Sequence, residues 1–265
     1  MKKLAFCFLC KHGINNMPLW KKFFQGNESR YNIYFHCSSS HSRIREKIIL
    51  DNIVPQQKTS WGDIYKAITS IYSLAIKDDN YKYILLSESC IPVKSFNYIY
   101  NYLIKDDLSC LCFQNQIAKN LHERNTLIQS YERYIANSKR AVEFLYYIDI
   151  KNWFYHETWT ILNKEHAQLI MNNNLIIEAF RNMKCFAHDE NIVAYILNIN
   201  NQLKNVKSVK TTFTNWVESK KENGRIHPKL YNKVEKQDID MFKPYLFARK
   251  FSEIDKLEKI IKLDD

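Results

Sequence analysis

The sequence predicts an α/β fold, with a mostly parallel central sheet covered by helices on both faces. Three observations carry this. The runs "KLAFCFLC", "YNIYFHCS" and "YKYILLSES" are almost continuously apolar, as strands buried on both faces are. Segments with helical periodicity alternate with them, and a βαβα order builds a parallel sheet. The 265 residues are 46% hydrophobic, enough for a sizeable core.

The elements follow in order. "KLAFCFLC" is the first strand. "MPLWKKFFQG" is a helix with Pro18 near its start and Gly26 at its end. "YNIYFHCS" is the second strand. In "SWGDIYKAITSIYSLAIK" the residues Ile64, Ala67, Ile68, Ile71, Leu74 and Ala75 form one apolar stripe of a helix. "YKYILLSES" is a third strand that stops in polar residues before Pro92. "SFNYIYNYLIK" is a helix and "SCLCFQN" a further strand. Residues 115–150 are polar and then helical in pattern. "WFYHETWTILNKEHAQLIM" gives a strand and a helix, "HDENIVAYIL" a buried helix, and the tail "KPYLFARKFSEIDKLEKII" ends in a helix. No repeat and no long linker divides the chain, so residues 1–265 are expected to form one domain.

Composition removes several classes. The four glycines, Gly13, Gly26, Gly62 and Gly224, are too far apart for a phosphate-cradling loop or a dinucleotide fingerprint. The net charge of +11 suggests an anionic partner (nucleic acid, a phosphorylated small molecule, or an anionic membrane surface touched peripherally) or, equally, no more than a basic solvated surface. The lysines are spread along the chain, which argues against a nucleic-acid module. Seven cysteines, several inside apolar runs, predict buried free thiols and a reducing, cytoplasmic setting. Cys7 and Cys10 have metal or redox spacing, yet they lie inside a predicted strand and no second pair answers them. The charged, apolar start has no small-residue cleavage site, and no run reaches the roughly 18 apolar residues of a membrane span.

In such sheets, ligands sit beyond the carboxyl ends of the strands. Those ends are Lys11-His12, Cys37-Ser38-Ser39 and Ser87-Glu88-Ser89, which makes His12, Cys37, Ser38 and Glu88 candidates for ligand binding, together with Trp61, which reads equally as structural. His188, Asp189 and Glu190 crowd the mouth of an apolar helix. Asp189 reads either as its N-cap, with Glu190 in the first turn, or one carboxylate points into a cleft as a general base. Asp238-Ile239-Asp240 has the form of a metal-holding Asp-x-Asp string within a charged stretch. The eight histidines include no helix-spaced pair suited to zinc.

The ordered set "PLWKKFF", "YNIYFHCSSS", "SWGDIYKAITSI", "YKYILLSESCIPVKSFNYIYNYL", "WTILNKEHAQLI", "HDENIVAYILNI" and "LFARKFS" resembles the core-2/I-branching family of glycosyltransferases, in particular its compact microbial and plant-type members. Residues 114–150 match it poorly. The resemblance implies a GT-A-type fold, with a nucleotide-binding half at 1–113 and an acceptor-binding, catalytic half at 114–265. It implies inverting transfer from a UDP-sugar, typically UDP-N-acetylglucosamine, with UDP-xylose and UDP-glucuronic acid used by related members, to a glycan acceptor. Glu190 corresponds to the family's general base. The family handles the diphosphate with two basic residues and no metal or other cofactor. Lys250 of "FARKF" is one, Arg225 of "GRIHP" the other, and Arg249 or His227 can take its place. Trp153, His156, Glu157, Trp159 and Asp189 fall where the family borders the acceptor, while tryptophans there read equally as core. A glycan- or nucleotide-binding protein without turnover is the second reading, and a basic nucleic-acid binder the third.

Overall fold

The computed structural model describes residues 1–39, 47–115, 154–182, 188–222 and 225–263. Its frame is a six-stranded sheet of order β2-β1-β3-β8-β5-β9. The strands are β1 (Lys3–Cys10), β2 (Tyr31–Cys37), β3 (Asn80–Ser87), β5 (Ser109–Cys110), β8 (Ile161–Asn163) and β9 (Val206–Lys207). β1 pairs in parallel with β2 and β3, and β5 with β9. Only β8 runs against its neighbours.

The alternation along the strands explains the apolar runs. On β1, Ala5 and Cys7 enter one core, and Leu4, Phe6, Phe8 and Cys10 the other. The first core is closed by α3 (Tyr65–Ala75), α5 (Lys164–Asn172), α6 (Asn174–Asn182) and α7 (Ile192–Ile199). The second is closed by α1 (Met17–Phe24), α2 (Lys47–Leu50) and α4 (Phe96–Ile104). Phe6 meets Trp20, Phe23, Phe24 and Phe96 with ring centroids 5.0–6.4 Å apart, a cluster whose truncation at Phe6 to Ala would cost about 3–5 kcal/mol. Helix α1 ends where Gly26 takes φ 75°, a conformation that suits glycine. Helix α4 starts at Ser95, whose hydroxyl accepts from the Tyr98 N–H at 3.0 Å, and α5 at Asn163, which accepts from the His166 N–H at 2.8 Å.

Three expectations are corrected. "SCLCFQN" is not one strand: β5 joins the central sheet, whereas β6 (Phe113–Asn115) leaves it and pairs antiparallel with β7 (Phe154–His156). The chain turns away at Leu111, whose N–H is taken by the Lys207 carbonyl, and at Cys112, whose carbonyl accepts from Glu157. "WFYHETWTIL" likewise holds two strands, β7 and β8, in different sheets. Finally, Asp189 is not a helix N-cap. His188–Glu190 form a separate 3₁₀ turn, and Asn191 occupies the N-cap position of α7 without a capping side-chain bond.

A smaller sheet, β10 (Thr212–Thr214), β13 (Phe247–Arg249) and β4 (Ile91–Pro92), stands at the end of β3. It carries the C-terminal segment back to the strand ends: Ala248 pairs with Ile91, and the Phe251 N–H donates to the Ser89 carbonyl at 2.9 Å. An antiparallel ribbon, β11 (Lys220–Glu222) and β12 (Arg225–His227), projects from this region.

Candidate active site

The carboxyl ends of β1, β2 and β3 are knitted together by backbone bonds. Ser38 N–H donates to the Cys10 carbonyl at 2.9 Å, Ser39 to Lys11 at 3.0 Å, and Glu88 to Leu9 at 2.9 Å. The Glu88 carboxylate accepts from the Lys11 N–H. Behind it, the Ser87 hydroxyl meets Ser89 Oγ at 3.0 Å and Cys90 Sγ at 3.2 Å. Lys250 is half-buried here; burial and neighbouring Arg249 lower its pKa, against the carboxylates of Glu88 and Glu222. The Arg249 guanidinium lies 4.3 Å from the Trp159 ring centroid, and its Nε is buried without a hydrogen-bond acceptor. Burial lowers the Arg249 pKa, opposed by Cys90, Glu190 and Glu157, and the group remains a cation at neutral pH.

Glu190 faces this cation from the 3₁₀ turn. Its carboxyl pKa is pushed up to about 7, first by burial and then by Asp189 beside it; the Thr158 hydroxyl and Arg249 oppose the rise. Thr158 Oγ1 stands 3.5 Å from Glu190 Oε1. Asp189 is pushed up to about 6 by burial, and its Oδ1 has no hydrogen-bond partner. The turn is held from three sides. Asn191 Nδ2 donates to the Phe154 carbonyl at 2.9 Å, and the Val193 N–H donates to His156 Nε2 at 3.2 Å. His188 Nε2 lies 3.4 Å from Asp63 Oδ1, and Asp63 is gripped in a two-point fork by Arg181 at 2.7 and 3.0 Å.

A carboxylate poised near neutral pH beside a buried guanidinium can take a proton from one group while the cation steadies negative charge on another. The family model described as Core-2/I-Branching enzyme matches residues 4–244. The chain belongs to the Core-2/I-Branching enzyme family. Among curated proteins it is similar to "Glycosyltransferase BC10" of Oryza sativa subsp. japonica, at 24% identity over 192 residues, 68% of this chain. The chain spans 43% of that relative's length.

The α/β frame, with five of six central strands running one way, fits the GT-A-like architecture expected of a Core-2/I-Branching enzyme. Within it the fold gathers Glu190, Asp189, Glu157, Trp159 and Arg249 into one region, and Glu88 and Lys250 into an adjoining one. Glu157 is tied to Lys210 by a 2.8 Å ion pair. His12 and Ser38 are exposed at the strand ends, and Trp61 is 42% exposed beside the Asp63 turn. Two candidates are corrected. Cys37 is fully buried in the core on the α1 side, where no ligand reaches it. His156 is buried, with its pKa pulled down to about 4; its Nε2 accepts from Val193 and its Nδ1–H donates to the Glu157 carbonyl, so it anchors α7 and does not face an acceptor. Trp159 packs against the first core, partly buried, and carries Arg249 on one face of its ring. Trp153 and the Arg225 side chain lie outside the described residues; the Arg225 backbone pairs with Glu222, whose carboxylate acts on Lys250.

Asp238 is buried in the capping box of α8 (Lys236–Phe242), where its carboxylate accepts from the Glu235 N–H at 2.9 Å and lies 3.4 Å from Lys229 Nζ. Its place in an Asp-x-Asp string reflects a helix start. Among the described residues, no three His, Cys, Asp or Glu side chains gather as a cation cage. None of the described helices is long and apolar enough to cross a membrane. Sequence reading missed Asp63, Arg181, Thr158 and Lys210, which meet the site only through tertiary contacts. The one available signal was "WGD", where Gly62 at φ 76° turns the chain just before α3.

Proposed function

We propose that the chain is an inverting glycosyltransferase that moves a sugar, N-acetylglucosamine foremost, from a UDP-sugar to a hydroxyl of a glycan acceptor. Glu190 is the general base. Its carboxylate takes the acceptor O–H proton as that oxygen attacks the anomeric carbon from the face opposite the leaving group. The C–O bond to the diphosphate breaks as the new glycosidic bond forms, so the anomeric configuration inverts. UDP leaves with two developing negative charges. Arg249 and Lys250, consecutive at the end of β13, offset them without a divalent ion, with Arg225 as a further cation. Asp189 keeps Glu190 basic by charge repulsion, which suits proton removal near neutral pH.

The observation that carries this reading is the pairing of a half-buried, raised-pKa Glu190 with a guanidinium whose buried Nε is an unused donor. The family membership and the similarity to a protein named as a glycosyltransferase support the reaction class. The test is a thermal-shift screen across nucleotide sugars, followed by donor turnover with the best binder. A UDP-sugar should raise the apparent melting temperature, and wild type should release UDP while Glu190→Gln binds but does not. Binding with equally absent turnover in wild type, across a panel of glycan acceptors, would favour the binding-protein reading.

A further inference from the structure

We infer that Cys10 and Cys37 form an oxidisable pair, a disulfide site that staples the ends of β1 and β2 where the strand-end loops begin. The two residues are direct partners in the parallel register of these strands. Neighbouring strands lie about 4.8 Å apart, inside the Cα separation of about 4.4–6.8 Å that a disulfide spans. Both side chains enter the same core, and the two sulfurs are in contact at 2.8 Å. Cys10 Sγ also reaches the His36 carbonyl at 3.4 Å, so the thiol is held toward β2.

The more suggestive sequence spacing belongs to a pair that cannot react. Cys7 and Cys10 are three residues apart on one strand and therefore point to opposite faces. Burial pushes the Cys7 thiol far up. Burial also raises Cys90 and brings Cys110 up to about 11, which leaves both poorly nucleophilic.

The oxidant is a small disulfide of the glutathione class. Cys10, 6% exposed against 0% for Cys37, is the sulfur that attacks first. A mixed disulfide forms at Cys10 and one glutathione leaves as its thiol. Cys37 then attacks Cys10 Sγ, the mixed disulfide breaks, and the second glutathione leaves. The two cysteine protons end on the two glutathione thiols, and two electrons have passed to the oxidant. The crosslink joins the residues that immediately precede Lys11-His12 and Ser38-Ser39, already bridged by the Ser38-to-Cys10 and Ser39-to-Lys11 backbone bonds. It thus fixes the loops that leave β1 and β2 relative to each other. None of this depends on the transfer reaction proposed above.

The experiment uses the full chain, incubated with oxidised glutathione, denatured without reductant, alkylated with iodoacetamide and weighed. Five of the seven cysteines should take label, and peptide mapping should find Cys10 joined to Cys37. In Cys10→Ser, all six remaining cysteines should take label under the same treatment. Should that variant fail to fold, the mapping of the wild-type chain decides. Seven labels, a glutathione adduct that stops at Cys10, or a protected pair that omits either residue would overturn the assignment.

Discussion

The ends of β1–β3 and the wall around Glu190 are neighbouring regions with opposite treatment of polar groups. At the strand ends, the loops tie their amides and carboxylate to one another: Ser38 to Cys10, Glu88 to Leu9, Lys11 to Glu88. Around Glu190 some polar atoms are buried and left unmatched: Asp189 Oδ1 and Arg249 Nε have no hydrogen-bond partner. An unmatched buried group costs about 1–3 kcal/mol, so the wall is a place where stability is given up. The strand ends satisfy their own polar groups, whereas the surroundings of Glu190 keep unmatched charge, as sites that meet a reacting group do.

The largest effect should come from removing the proposed base. Glu190→Gln should lower transfer by at least about 10²-fold and leave UDP affinity within about twofold, measured by single-turnover assay and calorimetry. A variant that keeps wild-type turnover would move the base to Asp189 and collapse the contrast between the two regions.

The cations come next. Lys250→Ala should weaken UDP binding by roughly tenfold, and the loss should shrink as salt rises, because a half-buried ammonium is only partly shielded. Arg249→Lys keeps the charge but loses the flat stack on Trp159, so it should slow turnover more than it weakens UDP binding. Exhaustive EDTA treatment should leave transfer largely intact; complete loss, restored by manganese, would replace the cationic pair with a metal.

The stored cost itself can be measured. Because the Glu190 carboxyl is raised to about 7, the folded state holds its proton more tightly than the unfolded chain does. That contribution to stability is present below the unfolded value near 4.3 and is lost as pH rises through about 7. Glu190→Gln should therefore be more stable than wild type by on the order of 1–3 kcal/mol at pH 8, and the gain should vanish by pH 4. Equal stability at both pH values would mean the carboxyl is not strained by burial. The same titration makes transfer rise with pH through about 7. Thr158→Val, which removes a donor that lowers this pKa, should move the rise to higher pH.

The smallest effect belongs to the strand ends. Ser38→Ala changes an exposed side chain whose loop is held by backbone bonds, so stability should move by no more than about 0.5 kcal/mol. A large loss there would show that the strand ends also bear functional strain.

The amino-acid sequence by itself determined the sheet and its two covers, and it singled out the carboxylate that we propose as the base. Strand burial on both faces leaves an unbroken apolar run, and helix burial leaves a periodic stripe, so both are written locally in "KLAFCFLC" and in Ile64–Ala75. Glu190 was legible because three ionisable residues before an apolar helix demand a reason, and because the ordered segments match a known family. Tertiary structure alone decided the rest. Whether "SCLCFQN" is one strand or two depends on Lys207 and Glu157, which reach it from nearly a hundred and some forty-five residues away in the chain. Whether Asp189 caps a helix depends on where the 3₁₀ turn gives way to α7, which His156 and Phe154 set from another strand. The partner of Arg249 is Trp159, and the anchor of His188 is Asp63; neither spacing carries a local signal, because long-range contacts between charged or aromatic side chains impose no periodicity on the sequence between them.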